Sequence, residues 1–334
     1  MPTVEQRLEE LSSRVWEEHP CLTDHLGEEL YLWVGTCYLP VPKAARWTPT
    51  RTTSIPDALG VGVEDDDFLW DHQVRLRSLL ASQARVRGRV AMGVTGSGVR
   101  GGSVHAVFGN GVVDLRTGEL SPPDPEFWVS GGFRTDYDPL RPTPTYRRFM
   151  SARGLDDEQR LALESASAGM FDSTTPRSRV LVLVGETYTG KSVYARLMSL
   201  VADGMVAMDP RTGLRDVTDP RAGVTHAVLA YANSNDPSEL TSREVLGQVL
   251  HTANSALVVS EPNSWVLYGE GFDREAWLSE VLSTKRANPF VFQGHIPWQP
   301  DWFSEFERAM EVEMPGIVAQ WVSARIECSH APRP

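Results

Sequence analysis

The chain has 334 residues, more than one small hydrophobic core usually serves, so we expect it to form two modules. Hydrophobic residues make up 41% of the sequence and charged residues 23%, which is the balance of a folded protein rather than a disordered one. Acidic residues outnumber basic residues by 44 to 32. The formal net charge of -12 excludes a histone-like protein that binds nucleic acid through its overall charge, but it does not exclude a local basic channel.

No apolar run in the sequence reaches the roughly 20 residues that a membrane-spanning helix needs. The amino terminus carries acids instead of the basic and apolar blocks of a signal peptide. Cys21, Cys37 and Cys328 have no metal-ligand spacing and are interpreted as reduced thiols. These observations together predict a cytoplasmic protein.

The amino-terminal segment is predicted to be a helix. Thr3 and Gln6 have the spacing of a capping box, and three apolar residues fall on one helical face: Leu8, Leu11 and Val15. A segment with strand character follows at residues 30–39. The acidic run at residues 64–67 is expected to be a solvated loop or the start of a helix.

Residues 72–100 contain no acid and six arginines, which are Arg75, Arg77, Arg85, Arg87, Arg89 and Arg100. This region, Arg75–Arg100, is the best candidate in the chain for contacts with a DNA backbone. A solvated face or a contact between subunits explains the same arginines equally well. The glycine-rich run at residues 93–102 lacks the strand and helix that flank a phosphate loop.

The stretch at residues 104–120 alternates in polarity and has Asn110-Gly111 as a turn signal, which predicts a β-hairpin. The proline-rich stretch at residues 121–144 is interpreted as a linker. A helix is then predicted from Asp156 to about Met170, and a polar loop at residues 173–179.

Strands and helices alternate from Val180 onward, which indicates an α/β domain with a parallel core. The strongest chemical signal lies at its start. The run GETYTGKS at residues 185–192 fits the phosphate-loop motif G-x-x-x-x-G-K-[ST], between an apolar strand at residues 180–184 and helical spacing at residues 192–201.

Each part of this motif has a physical purpose. Backbone N–H groups of the curled loop and the helix start attract an anion, Lys191 reaches toward the β- and γ-phosphates, and the Ser192 hydroxyl is suited to hold Mg²⁺. We therefore predict an ATP–Mg²⁺ site formed by Gly185, Glu186, Thr187, Tyr188, Thr189, Gly190, Lys191, Ser192 and Val193.

The sequence VFGNGVVDLRTGEL at Val107–Leu120 resembles the NG-x-x-D-L-x-T-G-E-L signature of phage and plasmid primase–helicases, a group that includes the poxvirus primase-helicases. Shorter pieces resemble the same family in the same order, at residues 30–38, Asp136–Pro139, Tyr146–Phe149 and Glu313–Trp321. The similarity covers roughly residues 30–325. The signature and the phosphate loop are its specific parts.

This resemblance implies a superfamily 3 helicase that is driven by ATP and forms a ring, usually a hexamer, on single-stranded DNA. The implied fold is α/β, with a P-loop ATPase domain of the AAA+ kind preceded by a smaller mixed α+β domain. We expect the mixed domain at residues 1–122, a linker and helical segment at residues 123–178 and the ATPase domain at residues 179–334. The implied setting is replication of a phage, prophage or plasmid in the bacterial cytoplasm, with a separate primase or polymerase as a partner.

Two apolar strands are candidates for the Walker B strand, whose acid assists hydrolysis. In the first assignment residues 227–232 form it, Asp236 is the nearby carboxylate, and Glu261 or Asn263 lies at the sensor strand. We prefer this assignment for its order and spacing. In the second assignment residues 257–262 form the Walker B strand and Glu261 is the catalytic acid, but too little chain then remains for a sensor strand.

The sequence departs from the resemblance where hydrolysis is completed. Ser279 stands at the expected arginine, so that Arg274 or Arg286 has to replace it. The catalytic candidates are Glu261, Asp236, Asn263 and Arg274. The departures keep a second hypothesis open, a nucleotide-binding assembly or regulatory protein derived from such a helicase with weak or no ATP hydrolysis. A small-molecule kinase is a third interpretation, which the signature disfavours.

Overall fold

The computed structural model describes residues 3–23, 30–41, 66–91, 96–129, 131–133, 135–172, 180–186, 189–201, 205–208, 227–232, 255–261, 287–294 and 300–330. The chain divides into two compact units. Unit 1 contains Met1–Asp114 and Leu120–Phe133, and unit 2 contains Leu115–Glu119, Arg134–Asp219 and Thr225–Pro334. Helices and strands occur in both units, so the mixed α/β fold class is confirmed at this level.

Unit 1 begins with helix α1 (Val4–Glu18), which starts at the predicted capping box. The Gln6 N–H donates to the Thr3 hydroxyl at 3.2 Å, and the Thr3 N–H donates to the Gln6 side chain at 2.8 Å. Helix α2 (Asp66–Val86) starts within the acidic run. The two helices bury apolar residues in one core, which includes Leu8, Leu11, Val15, Leu76, Leu80 and Ala84.

A three-stranded antiparallel sheet packs with these helices, in the order β1 (Cys21–Thr23), β2 (Leu30–Trp33) and β3 (Tyr38–Val41). The segment predicted to have strand character is therefore two strands joined by a turn. The Val34 N–H donates to the Cys37 carbonyl at 3.0 Å across this turn. The sequence analysis missed this turn because the residues that form it are themselves apolar or small.

The second sheet of unit 1 is also antiparallel and has the order β4 (Ser97–Arg100), β5 (Ser103–Phe108), β6 (Gly111–Asp114) and β7 (Leu120–Ser121). The predicted hairpin is confirmed as β5 and β6. Phe108 pairs with Gly111, so the loop is Gly109-Asn110 and not the predicted Asn110-Gly111. A Cβ atom on Gly111 would lie 2.1 Å from the Ser121 carbonyl oxygen, which explains why glycine occupies this place.

The proline-rich stretch at residues 121–144, interpreted as a linker, contains the boundary between the two units and is packed against both. It contributes buried side chains to unit 1 through Phe127, Val129 and Phe133, and to unit 2 through Tyr137 and Thr143. The free energy falls when the large apolar side chains of this stretch leave water, and this favours packing over an unpacked connection.

The helices of unit 2 within the described residues are α3 (Pro144–Ser151), α4 (Asp157–Ala168), α5 (Lys191–Val201) and α6 (Pro300–His330), with a 3₁₀ turn at Gly169–Phe171. Helix α4 starts at the predicted capping box of Asp156 and Gln159. Among the described helices of both units, none is long and apolar enough to span a bilayer. The predicted polar loop at residues 173–179 lies outside the described residues.

Unit 2 also contains a five-stranded parallel sheet, as the alternation of strands and helices predicted. Its order is β12 (Ala287–Val291), β8 (Val180–Glu186), β11 (Ser255–Glu261), β10 (Ala227–Ala232) and β9 (Met205–Met208). The chain leaves β8 toward the β9 edge and leaves β11 toward the β12 edge. The carboxyl ends of β8 and β11 therefore form a topological switch point, the place at which open α/β sheets bind ligands.

Candidate phosphate-binding site

The phosphate-loop motif connects β8 to α5 at this switch point. Strand β8 extends through Gly185 and Glu186, two residues further than predicted, and α5 starts at Lys191. Gly190 has a φ of 90°, a conformation that glycine adopts without steric cost. The Tyr194 N–H donates to the Gly190 carbonyl at 3.0 Å and so begins the helix. The strand–loop–helix context that the motif requires is thus present.

Two loop residues are buried beside this helix start. The Lys191 ammonium donates to the Thr189 hydroxyl at 3.1 Å, and only 3% of Lys191 and 4% of Thr189 are exposed. A buried lysine at a helix amino terminus places a full positive charge where the helix dipole is also positive. This arrangement suits an anion. Thr187 and Tyr188 lie outside the described residues.

Strand β11, which pairs with β8, ends at a glutamate next to the loop. In the register of β11 with β8, Ser260 pairs with Gly185 and Glu261 pairs with Glu186. Paired strands lie about 4.8 Å apart. Glu261 therefore occupies the strand end next to the phosphate loop, as both Walker B assignments require.

Strand β10, the other candidate for the Walker B strand, lies one strand further from β8 than β11 does. Strand β10 pairs with β11 and not with β8, so its carboxyl end lies about 10 Å from that of β8. The strand that follows β11 in the chain, β12, pairs with the opposite side of β8 and not with β11. Asp236, Asn263 and Arg274 lie outside the described residues, as does Arg286, and their roles stay predictions.

An arginine that the sequence analysis overlooked contacts the loop. Arg153 follows α3 and is only 3% exposed. Its guanidinium donates to the Thr189 carbonyl through Nη1 and to the Phe149 carbonyl through Nε, the latter at 3.1 Å. Burial lowers the pKa of this guanidinium from its ordinary value. No sequence motif marks Arg153, because its partner lies 36 residues away in the chain.

The arginines proposed for DNA are mostly occupied within unit 1. Arg75 pairs with Glu5 at 3.2 Å, Arg100 pairs with Asp124, and the Arg77 Nε donates to the Val41 carbonyl at 3.2 Å. The Arg87 guanidinium lies over the Trp16 ring, 4.1 Å from its centroid. These contacts favour a structural use for much of the region, while Arg85 is exposed at the end of α2.

The Arg89 side chain is largely buried and makes three polar contacts. Its guanidinium donates to the Tyr38 hydroxyl at 3.2 Å and to the Pro125 carbonyl at 3.3 Å, and it pairs with Glu126 at 3.3 Å. The Tyr38 hydroxyl in turn donates to the Pro125 carbonyl at 2.7 Å, and burial raises the pKa of Tyr38 to about 12. Arg89 therefore holds the residue 124–126 turn in place.

A buried polar network contacts α5, the helix that follows the phosphate loop. The Trp321 indole N–H donates to the Tyr146 hydroxyl at 3.0 Å, and this hydroxyl donates to Glu164 at 3.0 Å. The Tyr194 hydroxyl shares a hydrogen bond of 2.7 Å with Ser167. The network thus links α3, α4 and α6 to the helix that follows the loop.

No metal site appears within the part of the chain that the structure describes, where no group of three or more histidine, cysteine, aspartate or glutamate side chains is placed to hold an ion. The predicted Mg²⁺ ligand Ser192 lies in the first turn of α5. A serine at this position of the motif offers the type of oxygen ligand that Mg²⁺ prefers. The ATP and Mg²⁺ assignments stay predictions.

Comparison with known proteins identifies one segment. Residues 106–152 match the family described as D5 N terminal like. These residues contain the Val107–Leu120 signature and the Tyr146–Phe149 piece, so the match supports the primase–helicase resemblance over this segment. No curated protein matches the chain significantly in sequence.

Two solved structures of an NrS-1 C-terminal region resemble the chain only distantly. One, an A-form apo structure, is 10% identical in sequence with a TM-score of 0.45. The aligned region covers 96% of this chain and 75% of the solved chain. A second has 9% identity and a TM-score of 0.43, and covers 96% of this chain and 74% of its own. Likeness at this level carries no argument about function.

The end of the D5 N-terminal-like segment is tied to helix α6. The Glu313 carboxylate accepts hydrogen bonds from the Thr145 and Tyr146 N–H groups, both at 2.9 Å, at the amino terminus of α3. A carboxylate at this place satisfies N–H groups that have no partner within the helix. The family-like pieces around Tyr146 and Glu313–Trp321 therefore meet in space and have a structural use.

Glu164 makes this network sensitive to pH. Burial raises the pKa of its carboxyl group, while the hydrogen bond from Tyr146 partly opposes the shift. A folded-state pKa above the unfolded one gives stability that is complete below the unfolded pKa and is lost as pH rises through the folded pKa. We expect Glu164→Gln, which keeps an acceptor for Tyr146, to be at least as stable as wild type at pH 8 and to lose this advantage near pH 4.

Urea unfolding at several pH values measures this effect. Glu311→Gln on the exposed side of α6 is the matched control and should leave the pH dependence of the unfolding free energy unchanged. A Glu164→Gln protein that is less stable than wild type at pH 8 would show that the charged carboxylate is itself stabilising.

Proposed function

We propose that the chain is a P-loop ATPase of the primase–helicase kind, which couples ATP hydrolysis to translocation on DNA or to its unwinding in phage, prophage or plasmid replication. The observation that carries this proposal is the phosphate-loop motif between β8 and α5, with Lys191 buried at the helix start and the sheet's switch point beside it. The D5 N-terminal-like segment supports the replication setting.

The proposed chemistry uses residues from three elements. Lys191 and the N–H groups at the start of α5 bind the phosphates, and Ser192 holds Mg²⁺, which when bound neutralises charge on the phosphates. Glu261 at the end of β11 orients the attacking water or senses the γ-phosphate. An arginine, with Arg274 as the first candidate, stabilises the charge that develops on the transferred phosphoryl group. In a hexameric ring this arginine would come from the neighbouring subunit.

DNA binding by the proposed translocase is tested separately from ATP binding. Replacement of Arg89 would disturb the contacts that hold Tyr38 and residues 124–126, so exposed Arg85 is the better probe. If Arg85 contacts a phosphate, Arg85→Ser should weaken single-stranded DNA binding and reduce the slope of log K against log salt by about 0.7. Fluorescence anisotropy with Mg²⁺–ATP over a salt series measures both quantities.

Arg14→Ser is the matched control, since Arg14 is also an exposed arginine on a helix of unit 1. An unchanged slope in Arg85→Ser would remove this residue from the DNA surface. No binding of wild type to single-stranded DNA at low salt would reject DNA as a partner. Particle images with and without ATP then show whether nucleotide assembles a ring.

The second candidate is a nucleotide-binding assembly or regulatory protein with weak or no hydrolysis. The contacts of Arg75, Arg77, Arg87, Arg89 and Arg100 within unit 1 favour it, because they leave fewer arginines for DNA. ATP binding without ATPase activity, with and without DNA, would support this candidate over the translocase.

A further inference from the structure

Arg153 is a buried cation with an unusual set of neighbours. Its guanidinium donates to two backbone carbonyls, of Phe149 and Thr189, and lies 4.9 Å from the centroid of the Phe149 ring. Its own carbonyl accepts the Gln293 N–H at 2.9 Å, just after β12. The residue therefore connects the end of α3, the loop and the end of the strand next to β8.

No carboxylate in the described ranges forms an ion pair with Arg153. Each hydrogen bond that its side chain makes there goes to a neutral carbonyl oxygen, and these bonds use two of its five N–H donors without cancelling its charge. A buried charge is costly unless an opposite charge compensates for it. The carbonyl end of α3 and the Phe149 ring offset part of this cost. An anion in the adjacent loop would offset more.

Two cationic side chains, those of Arg153 and Lys191, both donate hydrogen bonds to Thr189. Its carbonyl accepts from Arg153, and its hydroxyl accepts from the Lys191 ammonium at 3.1 Å. A carbonyl held by the guanidinium is turned toward Arg153. Arg153 thereby fixes the orientation of one peptide unit in the loop.

We propose that Arg153 is a positioning residue of the phosphate loop, which holds the Thr189 carbonyl and supplies a buried positive charge that a bound nucleoside triphosphate neutralises. This inference rests on the proposed nucleotide-binding function. It assigns to a residue outside the motif, one position beyond the D5 N-terminal-like segment, a part of the loop's affinity for polyphosphate.

The test compares ATP affinity in three variants of the full chain. Arg153→Gln removes the charge, Arg153→Lys keeps it without the planar fork, and Arg160→Gln, the matched control, removes a half-exposed arginine of α4 that pairs with Asp157. We expect Arg153→Gln to raise the Kd for Mg²⁺–ATP by about tenfold or more, because hydrogen bonds to charged groups are the strong ones. Arg153→Lys should lie at least about threefold closer to wild type, since the charge is retained. Arg160→Gln should match wild type.

Circular dichroism melting without nucleotide establishes that each variant is folded, and calorimetric titration gives the Kd values. A folded Arg153→Gln with wild-type affinity overturns the inference, and so does an Arg153→Lys as weak as Arg153→Gln. If Arg153→Gln does not fold, the ATP-induced rise in melting temperature of Arg153→Lys decides. A retained rise supports the inference and a lost rise overturns it.

Lys191→Ala separates this inference from the function on which it rests. If wild type binds ATP and Lys191→Ala does not, the phosphate loop is established, and an unaffected Arg153→Gln rejects the positioning role alone. If Lys191→Ala binds as wild type does, the proposed function itself fails.

Discussion

Lys191→Ala should lose ATP binding, and we expect this to be one of the two largest effects in the protein. Lys191 is the only charged side chain of the motif that can donate to the phosphates, and it is buried at the start of α5. Charge-assisted hydrogen bonds are worth about 1.5–3 kcal/mol each, so the loss of one or two should raise the Kd for Mg²⁺–ATP tenfold or more.

Calorimetric titration with ATP and Mg²⁺ measures the change. Lys191→Ala also removes buried aliphatic atoms and leaves the Thr189 hydroxyl without its donor from Lys191. Lys191→Met is therefore the control, because it keeps most of the volume and removes only the charge. Both variants should melt cooperatively without nucleotide and both should lose ATP. Unchanged affinity in either folded variant contradicts the phosphate-binding assignment.

The elements around the loop were predictable because their signals are local. The capping box at Asp156, the apolar run of β8 and the helical spacing of α5 each lie within about a dozen residues, and all three were confirmed. The parallel sheet followed from the alternation of strands and helices. Local sequence therefore revealed which elements form and roughly where they begin.

The contacts between distant residues were not predictable in this way. Arg153 meets Thr189 across 36 residues, and Glu313 meets Tyr146 across 167 residues, with no motif that joins either pair. The packing of residues 121–144 was unforeseen for a related reason. Prolines dominate the local composition, while the burial of Phe127 and Tyr137 depends on partners elsewhere in each unit.

Strand order also lay beyond the sequence, and it bears on the catalytic acid. The pairing of β11 with β8 places Glu261 beside Glu186 at the switch point, whereas β10 is one strand further from the loop. An acid that follows β10 must reach back toward the phosphates, while one at the end of β11 starts next to them. Glu261 is thus a site candidate whichever strand is Walker B.

The second large effect should come from Glu261→Gln, in turnover and not in binding. Glutamine has the same shape but neither accepts a proton nor carries the charge that orients an attacking water. Such groups typically contribute about 10²–10⁴-fold to rate, so kcat should fall by about 100-fold or more. The Kd for ATP should stay within about threefold of wild type, because the carboxylate acts mainly in the transition state.

Steady-state phosphate release and ATP titration on the same preparations separate these two quantities. Glu311→Gln on the exposed side of α6 is the control and should hydrolyse ATP like wild type. Asp236→Asn tests the competing position after β10. If Glu261→Gln turns over at the wild-type rate while Asp236→Asn does not, the acid follows β10 and Glu261 has no catalytic part. If both variants lose turnover with ATP affinity intact, both carboxylates contribute to hydrolysis, with Asp236 at the Walker B position and Glu261 at the sensor strand, which is the first Walker B assignment.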